Sequence, residues 1–237
     1  MIALATCLGA GSILLLVALD TVTFTSFGWN DTAVLAWDAF LSLLFFLQHS
    51  IMVRRSFKQR LARTAPPHCH GAVYTIASGI VLTLLVIFWQ KSGTVLYELH
   101  GIARWAMHAC LLLAVVVFVL GIHALRSFDP LGLGPIKAHL RGVEPQPGPF
   151  VVRGPYRWVR HPLYSCVVVL FWATPELSLD RLLFNVLWTA WVGVGTLLEE
   201  RDLTREFGEA YIRYKEQVPM FVPWKLRRMS ANNTGRA

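Results

Sequence analysis

Charged residues are scarce in this chain, 15% of its 237 positions, where an ordinary soluble domain carries roughly a quarter. Acidic residues are scarcer still: 14 Asp and Glu stand against 22 Lys and Arg, for a net charge of +8. Cysteine is limited to Cys7, Cys69, Cys110 and Cys166, with no CxxC spacing, so neither a disulfide framework nor a cluster site follows from the sequence. His68-Cys69-His70 has the residue types of a metal site but no partner cluster, and no metal is expected. The basic excess lacks any RNA-binding aromatic signature or zinc-finger spacing, which argues against nucleic acid as a partner. The chain also lacks an internal repeat and a second soluble domain, and no obligate protein partner is evident.

What the chain has instead is apolar sequence, 55% of residues, gathered into long runs. About twenty such residues cross a bilayer, and six runs qualify: Ile2–Phe27, Ala33–Val53, Val73–Gln90, Trp105–Leu125, Leu163–Thr174 and Leu179–Leu198. The fifth is short and is expected to begin near Val159. The first has no basic n-region and no convincing cleavage site, so it reads as a retained helix rather than a signal peptide. The expected fold class is all-α: a polytopic integral membrane protein of about six transmembrane helices plus a cytoplasmic amphipathic C-terminal helix.

Basic residues set the orientation. Arg54, Arg55, Lys58, Arg60 and Arg63 follow the second run; Arg126, Lys137, Arg141, Arg153, Arg157 and Arg160 follow the fourth. Arg201, Arg205, Arg213, Lys215, Lys225, Arg227, Arg228 and Arg236 follow the sixth, so nineteen of the 22 basic residues share one side. That side is expected to be the cytoplasm, in a bacterial inner membrane, with both termini and the active site there. Basic loops beside membrane spans also meet anionic lipid head groups, so membrane lipids are expected partners.

The texture changes near Leu125. Residues 1–125 read as a four-helix transmembrane scaffold, 126–229 as a functional region, and 230–237 as a disordered tail. Between Arg126 and Val159 fall Pro130, Gly132, Gly134, Pro135, Gly142, Pro145, Pro147, Gly148, Pro149, Gly154 and Pro155. A loop so long and rich in turn formers is commonly functional in a compact protein, and its amides are free to wrap a ligand. After the last run, Leu203, Phe207, Tyr211, Tyr214 and Val218 recur at helical spacing. That stripe predicts a helix lying along the membrane surface or folding back over the site.

Charge beside a membrane span is costly and marks a functional site by default. Gly154-Pro155-Tyr156-Arg157-Trp158-Val159-Arg160-His161-Pro162-Leu163-Tyr164 and Leu198-Glu199-Glu200-Arg201 flank the last pair of runs, and Phe207-Gly208-Glu209-Ala210-Tyr211 follows. Arg160-His161-Pro162 alone fits a helix start with Pro in its first turn. Glu199-Glu200 at a helix C-terminus opposes the macrodipole, which favours a bound cation there.

With these motifs in order, about the last 100 residues resemble the isoprenylcysteine carboxyl methyltransferase and phospholipid methyltransferase superfamily. Leu47-Gln48-His49-Ser50, Phe57-Lys58, Val73-Tyr74, Phe88-Trp89-Gln90 and Ser127-Phe128-Asp129-Pro130 make the chain similar to the methanethiol S-methyltransferase branch, close to membrane proteins associated with denitrification. The resemblance implies an S-adenosylmethionine-dependent enzyme that methylates a small thiol, methanethiol to dimethyl sulfide. It implies cofactor contacts from Phe150, Val151, Tyr156, Arg160, His161, Pro162, Leu163, Tyr164, Glu199 and Glu200. Glu199 suits the cofactor's ammonium, Arg160 or His161 its carboxylate, and Tyr156 or Tyr164 its cation or adenine. A thiol must lose its proton to attack, and His49 and Asp129 are the catalytic candidates to receive it or orient the acceptor.

A lipid-like acceptor, either a lipid amine or a prenylated cysteine carboxylate, is the alternative within the class. The superfamily's prenyl-carboxylate enzymes carry an Arg shortly before the acidic pair, whereas Val194-Gly195-Thr196-Leu197-Leu198 carries no cation. That departure favours a small or neutral acceptor. His49, His108 and His123 leave a membrane haem-binding protein open from another class, and Asp20 and Asp38 a transporter. Neither accounts for the C-terminal motifs.

Overall fold

A computed structural model describes residues 24–124, 133–143 and 150–224, with the side chains of Arg55, His123 and Ala124 left aside. Asp129, Asp20, most of the first apolar run and the tail at 230–237 lie outside the described residues. The described chain is mostly helical.

Helix α1 (Asp31–Val53) begins where Asn30 caps it, its side chain accepting from the Ala33 amide at 2.9 Å, with Asp31 in the first turn. Both features satisfy or complement the free N–H groups of a helix start. It stops at Arg54, whose backbone is extended, and the short basic helix α2 (Arg55–Leu61) follows. A 3-10 turn over Pro67–Cys69 leads into α3 (His70–Phe88). Strand β1 (Val95–Glu98) precedes α4 (Gly101–Ala124). Then come α5 (Gly134–Leu140), a second 3-10 turn (Gly154–Arg157), α6 (Pro162–Trp172), β2 (Glu176–Ser178), α7 (Leu179–Phe207) and α8 (Glu209–Gln217).

Four helical stretches are long and apolar enough to cross a membrane: Asp31–Val53, Pro67–Phe88, Gly101–Ile122 and Leu179–Phe207. Their outer faces are apolar and open; on α4, Ile102, Trp105, Leu112 and Leu113 are all exposed. Contiguous exposed apolar surface of this kind suits hydrocarbon rather than water. The fifth expected run forms a shorter apolar helix that begins at Pro162, not near Val159. The reason is in the backbone: His161 stands before Pro162 with φ −125° and ψ 62°, outside the helical region, as a residue preceding proline tends to be, and the Arg160 and His161 amides donate instead to the carbonyls of Pro219 and Met220.

Three further expectations shift. The long loop contains a helix, α5, which Pro135 opens from a first-turn position, where its missing N–H costs nothing. The all-α expectation meets a two-stranded antiparallel pairing of β1 with β2. The apolar stripe from Leu203 to Val218 is not one helix: α7 continues past its apolar stretch to Phe207 and breaks at Gly208, whose φ of 54° is a left-handed value that glycine adopts without a Cβ penalty.

The described chain falls into two compact units. The first holds 24–98, 133–143 and 176–187. Here α1 packs on α3, and the turn after α3 is tied down by three acids. Fully buried Asp38 accepts from the Gln90 amide at 3.0 Å, and Asp180 accepts from the Trp89 indole at 3.2 Å and the Ser92 amide at 3.0 Å. Asp31 accepts from the Gly93 amide and the Ser92 and Thr94 hydroxyls. Acids in or beside apolar helices are tolerable when a backbone turn supplies donors. In the same unit His68 stacks on His139 of α5 with ring centroids 3.9 Å apart.

The second unit holds 99–124, 150–175 and 188–224. Helix α6 packs along α4 closely enough that a Cβ on Gly121 would sit 2.7 Å from Leu163 Cδ2. Trp172 donates to the Thr189 hydroxyl at 3.0 Å, and Phe171 meets Trp188 edge-on. Val152, Tyr211, Tyr214 and Val218 form a buried cluster, with Phe150, Tyr156, Leu203 and Phe207 packed against it.

Candidate functional site

Pro162 fixes the start of α6, which leaves His161 immediately before the helix and Tyr164 one turn in. Helix α7 delivers Glu199 and Glu200 from its last turns, and α8 delivers Lys215. All of these residues belong to the second unit.

Glu200 is the hub. Its Oε1 accepts from Arg160 Nε at 2.6 Å and lies 3.1 Å from His161 Nε2; its Oε2 lies 3.3 Å from Lys215 Nζ. The side chains of Arg160 and Glu200 are only 9% and 5% exposed, so this pair is removed from water, where partial pairing is costly. Arg160 is satisfied further by the carbonyls of Lys215 at 3.0 Å and Val218 at 2.5 Å. Its Nε and Nη1 are therefore engaged within the protein, and it holds Glu200 and the 215–218 backbone together.

Around this hub the chain returns on itself. The Arg160 amide donates to the Pro219 carbonyl at 2.8 Å and the His161 amide to that of Met220 at 3.1 Å. Ser165 Oγ donates to the Phe221 carbonyl at 2.9 Å. Tyr214 donates to the Tyr156 carbonyl at 2.6 Å. Phe150 packs its ring against Phe207, Tyr211 and Tyr214 at 5.3, 5.7 and 5.4 Å. The last helix thus folds back over the site, one of the two arrangements its stripe allowed.

Electrostatics keep the cluster's neutral members neutral. Burial pushes the Tyr156, Tyr211 and Tyr214 hydroxyls well above the usual phenol value, and the charge of Glu199 adds to the effect on Tyr156, that of Glu200 to the effect on Tyr211. Burial also lowers the pKa of His161, outweighing the pull of Glu199 and Glu200 in the other direction. Beside an ionised Glu200, neutral His161 carries its proton on Nε2. Its Nδ1 faces Glu199 Oε2 at 3.9 Å, and Tyr164 lies nearly parallel over its ring with centroids 5.7 Å apart.

Tyr156, Arg160, His161, Tyr164, Glu199 and Glu200 therefore converge, and Pro162 positions them. Phe150 belongs to the aromatic cluster beneath, Leu163 leans on α4, and Val151 is exposed. His49 belongs to the first unit, half-buried on α1, where the Tyr74 hydroxyl lies 2.8 Å from Nδ1 and 2.9 Å from Nε2. Sequence reading missed Lys215, Ser165, Tyr214 and the Val218–Phe221 backbone as parts of the site. The helical stripe was the available signal for Tyr214; the carbonyls carry none.

The arrangement fits an amino-acid-bearing sulfonium ligand. Arg160 and Lys215 offset Glu200, and Glu199, 43% exposed, is left as a carboxylate able to meet an ammonium. Arg157, in the same segment, has a buried Nε without a hydrogen-bond partner among the described residues, a donor suited to a carboxylate. Tyr164 and Tyr156 supply aromatic faces.

The NnrU protein family model matches residues 39–198. Methanethiol S-methyltransferase 2 of Bradyrhizobium diazoefficiens is 36% identical over 183 residues, covering 77% of this chain and 71% of that protein. The methanethiol S-methyltransferase of Mycobacterium tuberculosis is 32% identical over 185 residues, 78% of this chain and 76% of that one. Nurim of Rattus norvegicus is 30% identical over 183 residues, 72% and 68% respectively. No solved structure matches.

Proposed function

This chain belongs to the NnrU family, and on that premise we propose that it is a membrane methyltransferase that S-methylates methanethiol to dimethyl sulfide with S-adenosylmethionine as donor. The observation that carries this reading is the Glu199–His161–Glu200 constellation, found in a chain whose relatives include proteins named methanethiol S-methyltransferase. We place the cofactor-binding region within 126–229. It works in a bacterial inner membrane, with six spans and the site on the cytoplasmic face, as the basic loops indicate.

When bound, the cofactor supplies an electrophilic methyl carbon on a cationic sulfur. The protein's part is positional, because displacement at such a carbon needs a nucleophile held close and dry rather than a metal. Glu199 holds positive charge, while Tyr164 and Tyr156 face the apolar and cationic parts of the ligand. Arg160 and Lys215 act through Glu200, fixing the imidazole of His161. The thiol must give up its proton before it attacks, and His49 and Asp129 are the residues proposed to receive it or orient the acceptor. The uncharged stretch Val194–Leu198 supports a small acceptor over a prenylated carboxylate.

Headspace gas chromatography of membranes given S-adenosylmethionine and methanethiol tests the reading. Dimethyl sulfide from the wild type and its loss in Glu199→Ala is the expected result; no product from a wild type that binds the cofactor rules out this acceptor. For His49→Ala, turnover is expected to fall by about 100-fold, within the usual range for a proton acceptor, with S-adenosylhomocysteine affinity unchanged. Wild-type turnover in that variant removes His49 from the chemistry.

A further inference from the structure

A line of polar side chains runs between the largely apolar helices α1 and α3. The Tyr74 hydroxyl lies 2.8 Å from Nδ1 and 2.9 Å from Nε2 of His49, so it reaches whichever ring nitrogen carries the lone pair. Ser78, one turn further along α3, hydrogen-bonds that hydroxyl. Gln48, next to His49 on α1, donates from Nε2 to Met52 Sδ at 2.9 Å and to Ser78 Oγ at 3.4 Å. Both protons of the amide are thus engaged, and Gln48 Oε1 is left buried with no hydrogen-bond partner among the described residues. His49, Tyr74, Ser78, Gln48 and Met52 all belong to the first unit.

A buried acceptor that receives nothing calls for a reason, and the direction of the line supplies one. A phenol is a far stronger acid than a neutral imidazole N–H, so Tyr74 donates to the neutral ring. The order of donation is then Gln48 to Ser78, Ser78 to Tyr74 and Tyr74 to His49. When the imidazole gains a proton both ring nitrogens become donors, and the line has to run the other way. Ring N–H then donates to Tyr74, Tyr74 to Ser78 and Ser78 to Gln48. That reversal needs an acceptor at its far end, and a half-turn of the amide brings Gln48 Oε1 onto Ser78. A purely structural tie between the two helices needs one orientation only and leaves this oxygen unexplained.

We infer that Tyr74 is the positioning residue for proton uptake by His49, with Ser78 and Gln48 Oε1 completing a hydrogen-bond line that reverses when the proton of the thiol arrives. The inference rests on the reading of His49 as proton acceptor in thiol S-methylation, and it supplies what stabilises the charge that step creates. The S–H proton passes to a His49 ring nitrogen and its electron pair stays on sulfur as the thiolate. The thiolate sulfur then forms the new bond to the methyl carbon. The bond from that carbon to the sulfonium sulfur breaks, and its electron pair remains on that sulfur. A charge created between apolar helices is costly. Hydroxyl groups already in place meet it by turning, with no movement of the backbone.

The test pairs two acceptors of nearly the same size: methanethiol has to be deprotonated, whereas methaneselenol is already ionised at neutral pH. Each is given with S-adenosylmethionine to the detergent-solubilised full chain, and dimethyl sulfide or dimethyl selenide is measured in the headspace. Tyr74→Phe is expected to lower kcat for methanethiol by about 10- to 100-fold, part of what positioned proton transfer contributes. KM is expected to stay within about threefold, and kcat for methaneselenol within about twofold, a split that loss of packing does not produce. Gln48→Met, similar in size but without the terminal acceptor, is expected to show the same selectivity at smaller amplitude. Adding Tyr74→Phe to His49→Ala is expected to cost nothing further, because the line acts through the imidazole. S-Adenosylhomocysteine affinity is expected to be unchanged in every variant. Wild-type methanethiol turnover in Tyr74→Phe, an equal loss on both acceptors, or additive losses in the double variant overturns the inference alone. Wild-type turnover in His49→Ala overturns the reading of His49 and this inference with it. Should the wild type leave methaneselenol unmethylated, the double variant decides. Should Tyr74→Phe fail to fold, Gln48→Met decides, and its wild-type turnover of methanethiol overturns the inference.

Discussion

Glu200→Gln is expected to abolish methyl transfer and cofactor binding and to lower the unfolding midpoint of the solubilised protein. The carboxylate is 5% exposed and receives Arg160, His161 and Lys215. The amide keeps its shape but presents an NH2 group to residues that are themselves donors. Breaking a buried pair by removing one partner costs about 3–5 kcal/mol, because the remaining charge is stranded. Lys215 is 39% exposed, so water compensates it and its share is small, about 0–1 kcal/mol. The burden falls on Arg160, and a second variant separates stability from function. In Arg160→Met/Glu200→Met both charges go, which is often neutral or stabilising for a buried pair. This double variant is expected to recover much of the melting temperature and none of the activity. Unchanged melting in Glu200→Gln would remove the buried ion pair from the fold's support.

Tyr214→Ala is the second large effect. The ring is 3% exposed and packs against Phe150 and Tyr211, while its hydroxyl holds the Tyr156 carbonyl at 2.6 Å. Deleting a buried aromatic ring costs about 3–5 kcal/mol, from lost transfer energy and from the cavity left behind. Tyr214→Phe keeps the ring and loses one hydrogen bond, about 1 kcal/mol. Chemical denaturation of the two variants should therefore separate widely. Cofactor affinity should fall in Tyr214→Phe as well, since the carbonyl it releases lies in the Gly154–Arg157 turn leading to His161. Equal stability of Tyr214→Ala and Tyr214→Phe would place the residue's contribution in the hydroxyl alone.

Much of this was readable from residue types. The runs Ala33–Val53, Val73–Gln90 and Trp105–Leu125 found the helices Asp31–Val53, His70–Phe88 and Gly101–Ala124, starting late at Asp31, His70 and Gly101 and running past Phe88 and Ala124 in the last two. Hydropathy registers lipid contact, whereas a helix continues through Asp, His or Arg for as long as its backbone hydrogen bonds do. The same difference hid the extension of α7 from Leu198 to Phe207. Arg160, His161, Glu199 and Glu200 stood out because ionisable side chains beside apolar runs need a reason. Lys215 did not, being one of several charges on an amphipathic helix. The carbonyls of Pro219, Met220 and Phe221 could not, since every residue carries one. The β1–β2 pairing of four residues with three is too short to impose an alternating pattern.

The pairing of Arg160 and His161 with Pro219 and Met220 has a consequence for how the molecule is made. The carbonyl partners are translated some 59 residues after the amides they receive, which at about 5–20 residues per second is a wait of roughly 3–12 s. Throughout that interval Arg160 lacks the Lys215 and Val218 carbonyls, and Glu200 the Lys215 ammonium, that later close around them. Assembly of this centre is therefore a terminal event, and a ribosome that stops before residue 219 releases an inserted chain in which these backbone bonds cannot form. Quality control of this protein has its natural checkpoint at the C-terminal strap, where a chain that inserted correctly and a chain that works first become different objects.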